Sequence, residues 1–339
     1  MPSQILHSLF GEDLYGEILD TLHSPLNGPH KRAFCLGCQG PDIFYHSQGR
    51  RPVGLGYGTL IHRRGAGSFS AALLGGSLEA SGEKMSALAA YALGFLSHIF
   101  LDRQVHPYIV YKSALIPNFP RSHAFFERIV DTLMLKILRN QEPCDWDQEG
   151  LLAEPCRNPP EGLKELLAGT LIQVYPERAG KDHKLMERLD NAFLDSAGFY
   201  RNTAPALRTM NRPGHGGLEP GGIKKRHLAL IHPEKLPQHI DFLNMEKRPW
   251  YHPAGEGAEE TRSLPEIYAG AVKAAKDTLG PLLLLWLEGG TFPVLKAAGA
   301  IGDGGLSIVD ENGLPSRPLR LEPLPLEEVL EEQARLWNP

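Results

Sequence analysis

The stretch from residue 83 to residue 106, EKMSALAAYALGFLSHIFLDRQVH, constrains the fold more than any other. It is apolar nearly all round, which suits a helix enclosed by other helices. Gly94 allows a neighbouring helix to approach closely, and Pro107 marks the expected stop. Yet the same stretch carries His98, Asp102 and His106 at intervals of four. On a helix that spacing puts all three on one face. A carboxylate buried beside imidazoles is costly unless each group finds a partner. A divalent cation meets that demand, and zinc takes both His nitrogens and carboxylate oxygens.

A second segment repeats the device. Residues 122 to 140, SHAFFERIVDTLMLKILRN, predict a helix with Ser122 as N-cap, and His123, Glu127 and Asp131 again follow every fourth residue. Either triplet alone reads as a solvated or salt-bridged helix face. Two of them within so short a span, one in a strongly apolar helix, favour a shared metal site. Asp131 is expected to support a zinc-bound histidine rather than to ligate.

Other helical patterns fall at residues 3 to 22, broken at Gly11, and at 31 to 38, 59 to 79, 161 to 174, 183 to 200 and 263 to 287. No strand pattern competes with them, so the expected class is all-α, a multi-helix domain with long irregular loops. Its 36 glycines and 28 prolines fit such loops. Residues 1–200 are read as a helical core bearing the metal site. Residues 201–290 are read as a loop-rich region plus a packing helix of the same domain, and 291–339 as an irregular C-terminal tail with a short hairpin near residues 311 to 313.

Composition narrows the function. The formal charge of −5 gives no general attraction to nucleic acid, and no basic stripe with interleaved aromatics is present. The longest apolar run, Pro281 to Leu287, is too short for a transmembrane helix, which needs about 20 residues. The N-terminal residues do not read as a secretory signal, and four cysteines make no disulfide framework, so the expected location is cytoplasmic. Cys35 and Cys38 form a lone C-x-x-C, read as packed side chains. His23, His30 and the six histidines after residue 180 lack a ligand-like helical setting and are read as loop or surface residues. His46 either ligates or hydrogen-bonds a turn. Trp250 and His252 either reach the cleft or, for Trp250, pack in the core.

The segments ILHSLFG, LGCQGPDIFYH, TLIHRR, GFLSHIFLDRQVHPY and SHAFFERIVD, in that order over roughly residues 1 to 140, resemble the zinc-dependent phospholipase C family, which is related in fold to single-strand-specific zinc nucleases. A weaker echo is LNMEKRPWYHP, residues 243 to 253. The resemblance implies a helical phospholipase C or zinc nuclease-like fold with two or three Zn2+ ions. Asp42, His62, His98 and Asp102 would hold the first. His106, His123 and Glu127 would hold the second. His7 would hold a third, with Asp102 bridging the first and third. The family's N-terminal Trp ligand has no counterpart in Met-Pro-Ser, and the amine of Pro2 is the substitute expected after removal of Met1. The gap from Asp102 to His106 is also shorter than in the nucleases.

Such a cluster suits phosphoester hydrolysis by metal-activated water, with Asp42 both a ligand and the catalytic residue that orients or deprotonates that water. The expected substrate is a phosphoester, including a phospholipid. The alternatives are a single-strand nuclease or nucleotidase on the same metals, and a non-catalytic zinc-binding protein of this fold.

Overall fold

The computed structural model of the protein describes all residues except 1–2, 82–85, 115–120, 205–224, 256–258, 311 and 338–339. The described residues are predominantly helical and form no β-sheet; two isolated antiparallel bridges, Trp250 with Glu260 and Val309 with Pro315, are the extended pairings. None of their helices is long and apolar enough to cross a membrane.

The first six helices of the chain are α1 (Gln4–Leu22), α2 (Gly28–Gly37), α3 (Leu55–Arg63), α4 (Ala66–Ser81), α5 (Ala87–Ser113) and α6 (Ser122–Arg139). Between α2 and α3 lies a 3-10 turn, Gly40–Phe44. The all-round apolar helix is the central one, as its composition predicts. α1, α2, α4, α6 and the later helix Leu264–Gly289 all pack on α5.

Close approach is written in glycine. Gly37 on α2 and Gly94 on α5 face each other, and a Cβ on either would run into the other helix's backbone, at the Tyr91 or Phe34 carbonyl. Gly11 does not interrupt α1. It lets α1 pass the Cys38 sulfur and the Phe34 ring, where a side chain would collide.

Several boundaries differ from expectation. α5 runs through Pro107 to Ser113 instead of stopping. Proline inside a helix costs about 3 kcal/mol; here Tyr108, Ile109 and Tyr111 continue the buried face beyond it and offset that cost. The region read as one loose helix over 59 to 79 is two, α3 and α4, divided at Gly65 with φ of +74°. Ser122 is not the N-cap of α6; that position is Arg121, and the Ser122 hydroxyl donates to the Ala114 carbonyl at 2.8 Å. The C-terminal region is not wholly irregular. It holds helices Val294–Ile301 and Leu326–Trp337. Between them the chain turns back on itself at residues 305–316, with Gly305 N–H on the Gly313 carbonyl (3.1 Å) and Ser316 N–H on the Ile308 carbonyl (2.9 Å). The expected hairpin is this turn, although its residue 311 lies outside the described residues.

Candidate metal centre

Three of the named helices, α3, α5 and α6, and the 3-10 turn line one cleft of about 320 Å3, and α1 brings His7 to the donors behind it. The turn is placed by Gly40, whose φ of +53° and lack of a side chain let the backbone lie against the His98 ring. That contact aims Asp42 at α5. His62 comes from α3, His98, Asp102 and His106 from α5, and His123 and Glu127 from α6.

These side chains form three groups of mutually close donors: His7 with Asp42 and His98; His62 with His98 and Asp102; and His106 with His123 and Glu127. His62 Nε2 lies 3.0 Å from Asp42 Oδ1, and His98 Nε2 lies 3.6 Å from Asp42 Oδ2 and 4.0 Å from Asp102 Oδ2. In the third group, His123 Nε2 is 3.1 Å from His106 Nε2 and 3.2 Å from Glu127 Oε1. Two donors held about 2.0–2.1 Å from one tetrahedral zinc would be separated by roughly 3.3 Å. The observed spacings bracket that value.

The outer nitrogens explain why the rings point inward. His62 Nδ1 donates to the Gly58 carbonyl (2.8 Å) and His98 Nδ1 to the Cys38 carbonyl (3.2 Å). Those of His123 and His106 hydrogen-bond Ser113 Oγ (3.1 Å) and Ser307 Oγ (2.6 Å). A ring whose Nδ1–H is engaged presents a lone pair at Nε2, the tautomer that a metal requires. His98 Nε2 is fully buried with no hydrogen-bond partner. An orphaned acceptor of this kind, facing two carboxylates, is the mark of a donor set that fits a cation.

Electrostatics tell the same story. Burial pushes His98 and His106 well below the ordinary histidine range, and neighbouring imidazoles add to the effect. Burial pushes Asp102 well above the usual carboxylate range; His62 partly opposes this, while the Asp42 and Glu127 charges reinforce it. Burial alone would lower His62, but Asp42 outweighs it and the net shift is upward. Closely packed carboxylates and neutral imidazoles are strained by one another's company, and a divalent charge relieves both.

His7 is buried and its ring stacks on His98, with centroids 4.2 Å apart. The stacking puts its donor beside Asp42 and His98, so His98 is the residue shared by two groups, where Asp102 was the expected bridge. Met1 and Pro2, and with them the expected terminal ligand, lie outside the described residues.

Asp131 and His46 stand outside the donor groups. Asp131 touches none of their histidines. Fully buried, it accepts from the amides of Gln4 (3.0 Å) and Leu6 (2.8 Å), from the Ser3 hydroxyl, from Arg128 Nη1 (3.0 Å) and from His232 Nε2 (3.1 Å). It therefore caps the start of α1 and fixes His7 through the helix. His46 is not among the grouped donors. It stacks on Phe199 (3.9 Å) and hydrogen-bonds Ser196 Oγ (3.2 Å), whose hydroxyl donates to the Ile43 carbonyl next to Asp42. His46 thus braces the turn that carries Asp42.

Sequence reasoning missed three participants. His232, read as a loop histidine, is buried against Asp131. Ser307 and the residues around it come from the supposed irregular tail and wall the cleft. Arg63 lines the cleft beside His62. No local pattern signals the first two, since each meets its partner across at least 100 residues. The lone C-x-x-C takes no part: both thiols are buried, with burial pushing Cys35 up to about 12. Trp250 packs edge-on against Tyr108 in the core, with its Nε1 donating to the Arg262 carbonyl. His252 Nδ1 lies 3.3 Å from the Ala254 amide and does not line the cleft.

Compared with known families, residues 6–170 match the model described as zinc dependent phospholipase C. No curated protein and no solved structure matches the chain.

Proposed function

With residues 6–170 matching the model described as zinc dependent phospholipase C, we propose that the protein is a zinc-dependent phosphodiester hydrolase of phospholipase C type. The observation that carries this reading is the third donor group. His106, His123 and Glu127 offer three protein donors and face an open cleft. A structural zinc is closed by four protein ligands, whereas a catalytic one keeps a position for water or substrate. That difference favours catalysis over a purely structural metal.

The first ion would be held by Asp42, His62, His98 and Asp102, the second by His106, His123 and Glu127, and His7 would contribute to a third. Bound there, zinc supplies a water nucleophile at neutral pH and neutralises charge on the reacting phosphoryl group. The protein's own part is positioning. The carbonyls of Gly58 and Cys38 hold His62 and His98 in the Nδ1–H tautomer, and Ser113 and Ser307 hold the rings of His123 and His106 in place. Asp42 reaches the cleft from a turn braced by Gly40 and by the Ser196–His46 pair, and it orients the attacking water and takes its proton. No step requires a covalent intermediate on the protein.

Metal analysis of purified protein beside hydrolysis assays on phosphatidylcholine, bis(p-nitrophenyl) phosphate and single-stranded DNA tests the reading. Two or three zinc equivalents with turnover of the small diester, alone or together with the phospholipid, support it. Turnover of DNA alone points instead to a nuclease on the same site. Zinc without any turnover points to a non-catalytic protein.

A further inference from the structure

One wall of the cleft comes from Gly305, Ser307, Ile308, Pro315 and Ser316, which lie beyond the family-matched segment. Leu306 N–H donates to the His62 carbonyl (2.9 Å), so this wall is stitched directly to the end of α3. Its contributions to the cleft are uncharged, and include Ser307, Ile308, Pro315 and Ser316. Asp310, at the turn, spends its carboxylate on the amides of Asn312 and Leu314, both at 2.9 Å.

Setting the metal donors aside, the charged side chain among the described residues lining the cleft is Arg63. It is exposed, and its guanidinium has neither an ion pair nor a hydrogen bond among the described residues. The other basic residue of that stretch, Arg64, lines a different hollow. A quaternary ammonium headgroup needs an aromatic cage or a carboxylate. Here the aromatic at the cleft, Tyr45, is tilted against His62 at 4.8 Å, and the carboxylates present are donors in the metal groups.

We propose that Arg63 is the specificity-determining residue of this cleft, and that it takes a second anionic group, carboxylate or phosphate, carried by the phosphoester substrate. The proposal rests on the phosphoester reading of the metal site. A guanidinium presents a planar fork that matches both groups in bidentate fashion. A substrate seated with its phosphoryl group at the donors would place its outer group between Arg63 and the 305–316 wall. A substrate with a cationic outer group would meet like charge there.

The test is calorimetric binding to the full-length zinc-loaded protein. Phosphoglycolate carries a carboxylate beside its phosphate, ethylene glycol bisphosphate carries a second phosphate, phosphocholine carries a cation, and ethyl phosphate carries no second charge. The expected result is about tenfold tighter binding of one or both anionic-tail probes than of ethyl phosphate, with no gain for phosphocholine. In Arg63→Gln that preference disappears while zinc content is retained, and Arg63→Lys restores part of it. Tighter binding of phosphocholine by the native protein, or an unchanged preference in Arg63→Gln, overturns the proposal. Turnover of bis(p-nitrophenyl) phosphate separates the two claims. Turnover without an anion preference removes this inference alone. An Arg63-dependent preference without turnover removes the hydrolase reading and leaves the anion site standing.

Discussion

Asp102 lies between His98 and His106 on the central helix, with its Oδ2 3.9 Å from His62 Nε2 and 4.0 Å from His98 Nε2. Asp102→Asn is expected to lower zinc content by about one equivalent and activity by at least about a hundredfold, since an amide oxygen is a poor zinc ligand. Unchanged stoichiometry, read by plasma emission on dialysed protein, would remove Asp102 from the ligand set. Ser307 offers a gentler probe. Its hydroxyl holds the His106 ring from a distance of 2.6 Å. Ser307→Ala should weaken zinc binding by about 10-fold, the lower end of what outer partners of metal ligands contribute. Competition with a chromophoric chelator reads this directly, and Ser307→Thr should restore it; equal affinity in native and Ala proteins would make the contact incidental. The two residues also mark what a sequence can reveal. Asp102 was legible because intervals of four fix a helix face locally. Ser307 was not, because nothing within its own neighbourhood distinguishes it from any loop serine.

Among the elements, α1 depends on a residue of α6. Asp131 accepts two α1 amides together with Ser3, Arg128 and His232, all in the interior. Burial would raise its pKa, but His232, Arg128 and Ser3 more than reverse this and bring it to about 2, below the ordinary 3.8. A carboxyl depressed in the folded state stabilises above its unfolded pKa and loses that contribution as pH falls. Stability on the order of 2 kcal/mol should therefore drain away between about pH 3.8 and about pH 2. Asp131→Asn should destabilise by about 3 kcal/mol at neutral pH, because it strands a buried Arg and His. Urea titration should show a lower midpoint with the same slope, and the acid dependence in that window should vanish. A mutant within about 1 kcal/mol of the native protein would show that the cap is dispensable. Asp131 was expected to support a zinc-bound histidine; its partners are instead the α1 terminus, Arg128 and His232. Helix existence was legible throughout α1 to α6, because apolar periodicity is local. The run of α5 through Pro107 was not, since tertiary burial of Tyr108 and Tyr111 overrides the local signal.

At the scale of the molecule, the donors link parts of the chain that are otherwise far apart in sequence. α1 brings His7, the 3-10 turn Asp42, α3 His62, α5 its three residues and α6 its two, while the 305–316 segment is tied in through Ser307 and Leu306. Arg103 reinforces that last tie by donating to the carbonyls of Ile301, Gly302 (2.7 Å) and Gly304 (2.9 Å). The central contact of α2 with α5 is different in kind. It rests on glycine-mediated backbone approach and apolar burial, with no donor from α2 in the metal groups. Metal removal should therefore act unevenly. Zinc at a hundred times its Kd stabilises the native state by about 2.7 kcal/mol, so chelation should lower the Tm by several degrees. Amide hydrogen exchange should accelerate first at Leu306 and its neighbours, whose ties run to the His62 carbonyl and the His106 ring. The amides of α2 and the middle of α5 should keep their protection until the protein unfolds globally. Exchange that rises uniformly along the chain would mean that the donors hold the whole core together, and that the cluster is structural. An unchanged Tm and unchanged exchange on chelation would mean that no ion resides there, and the hydrolase reading would fall with it.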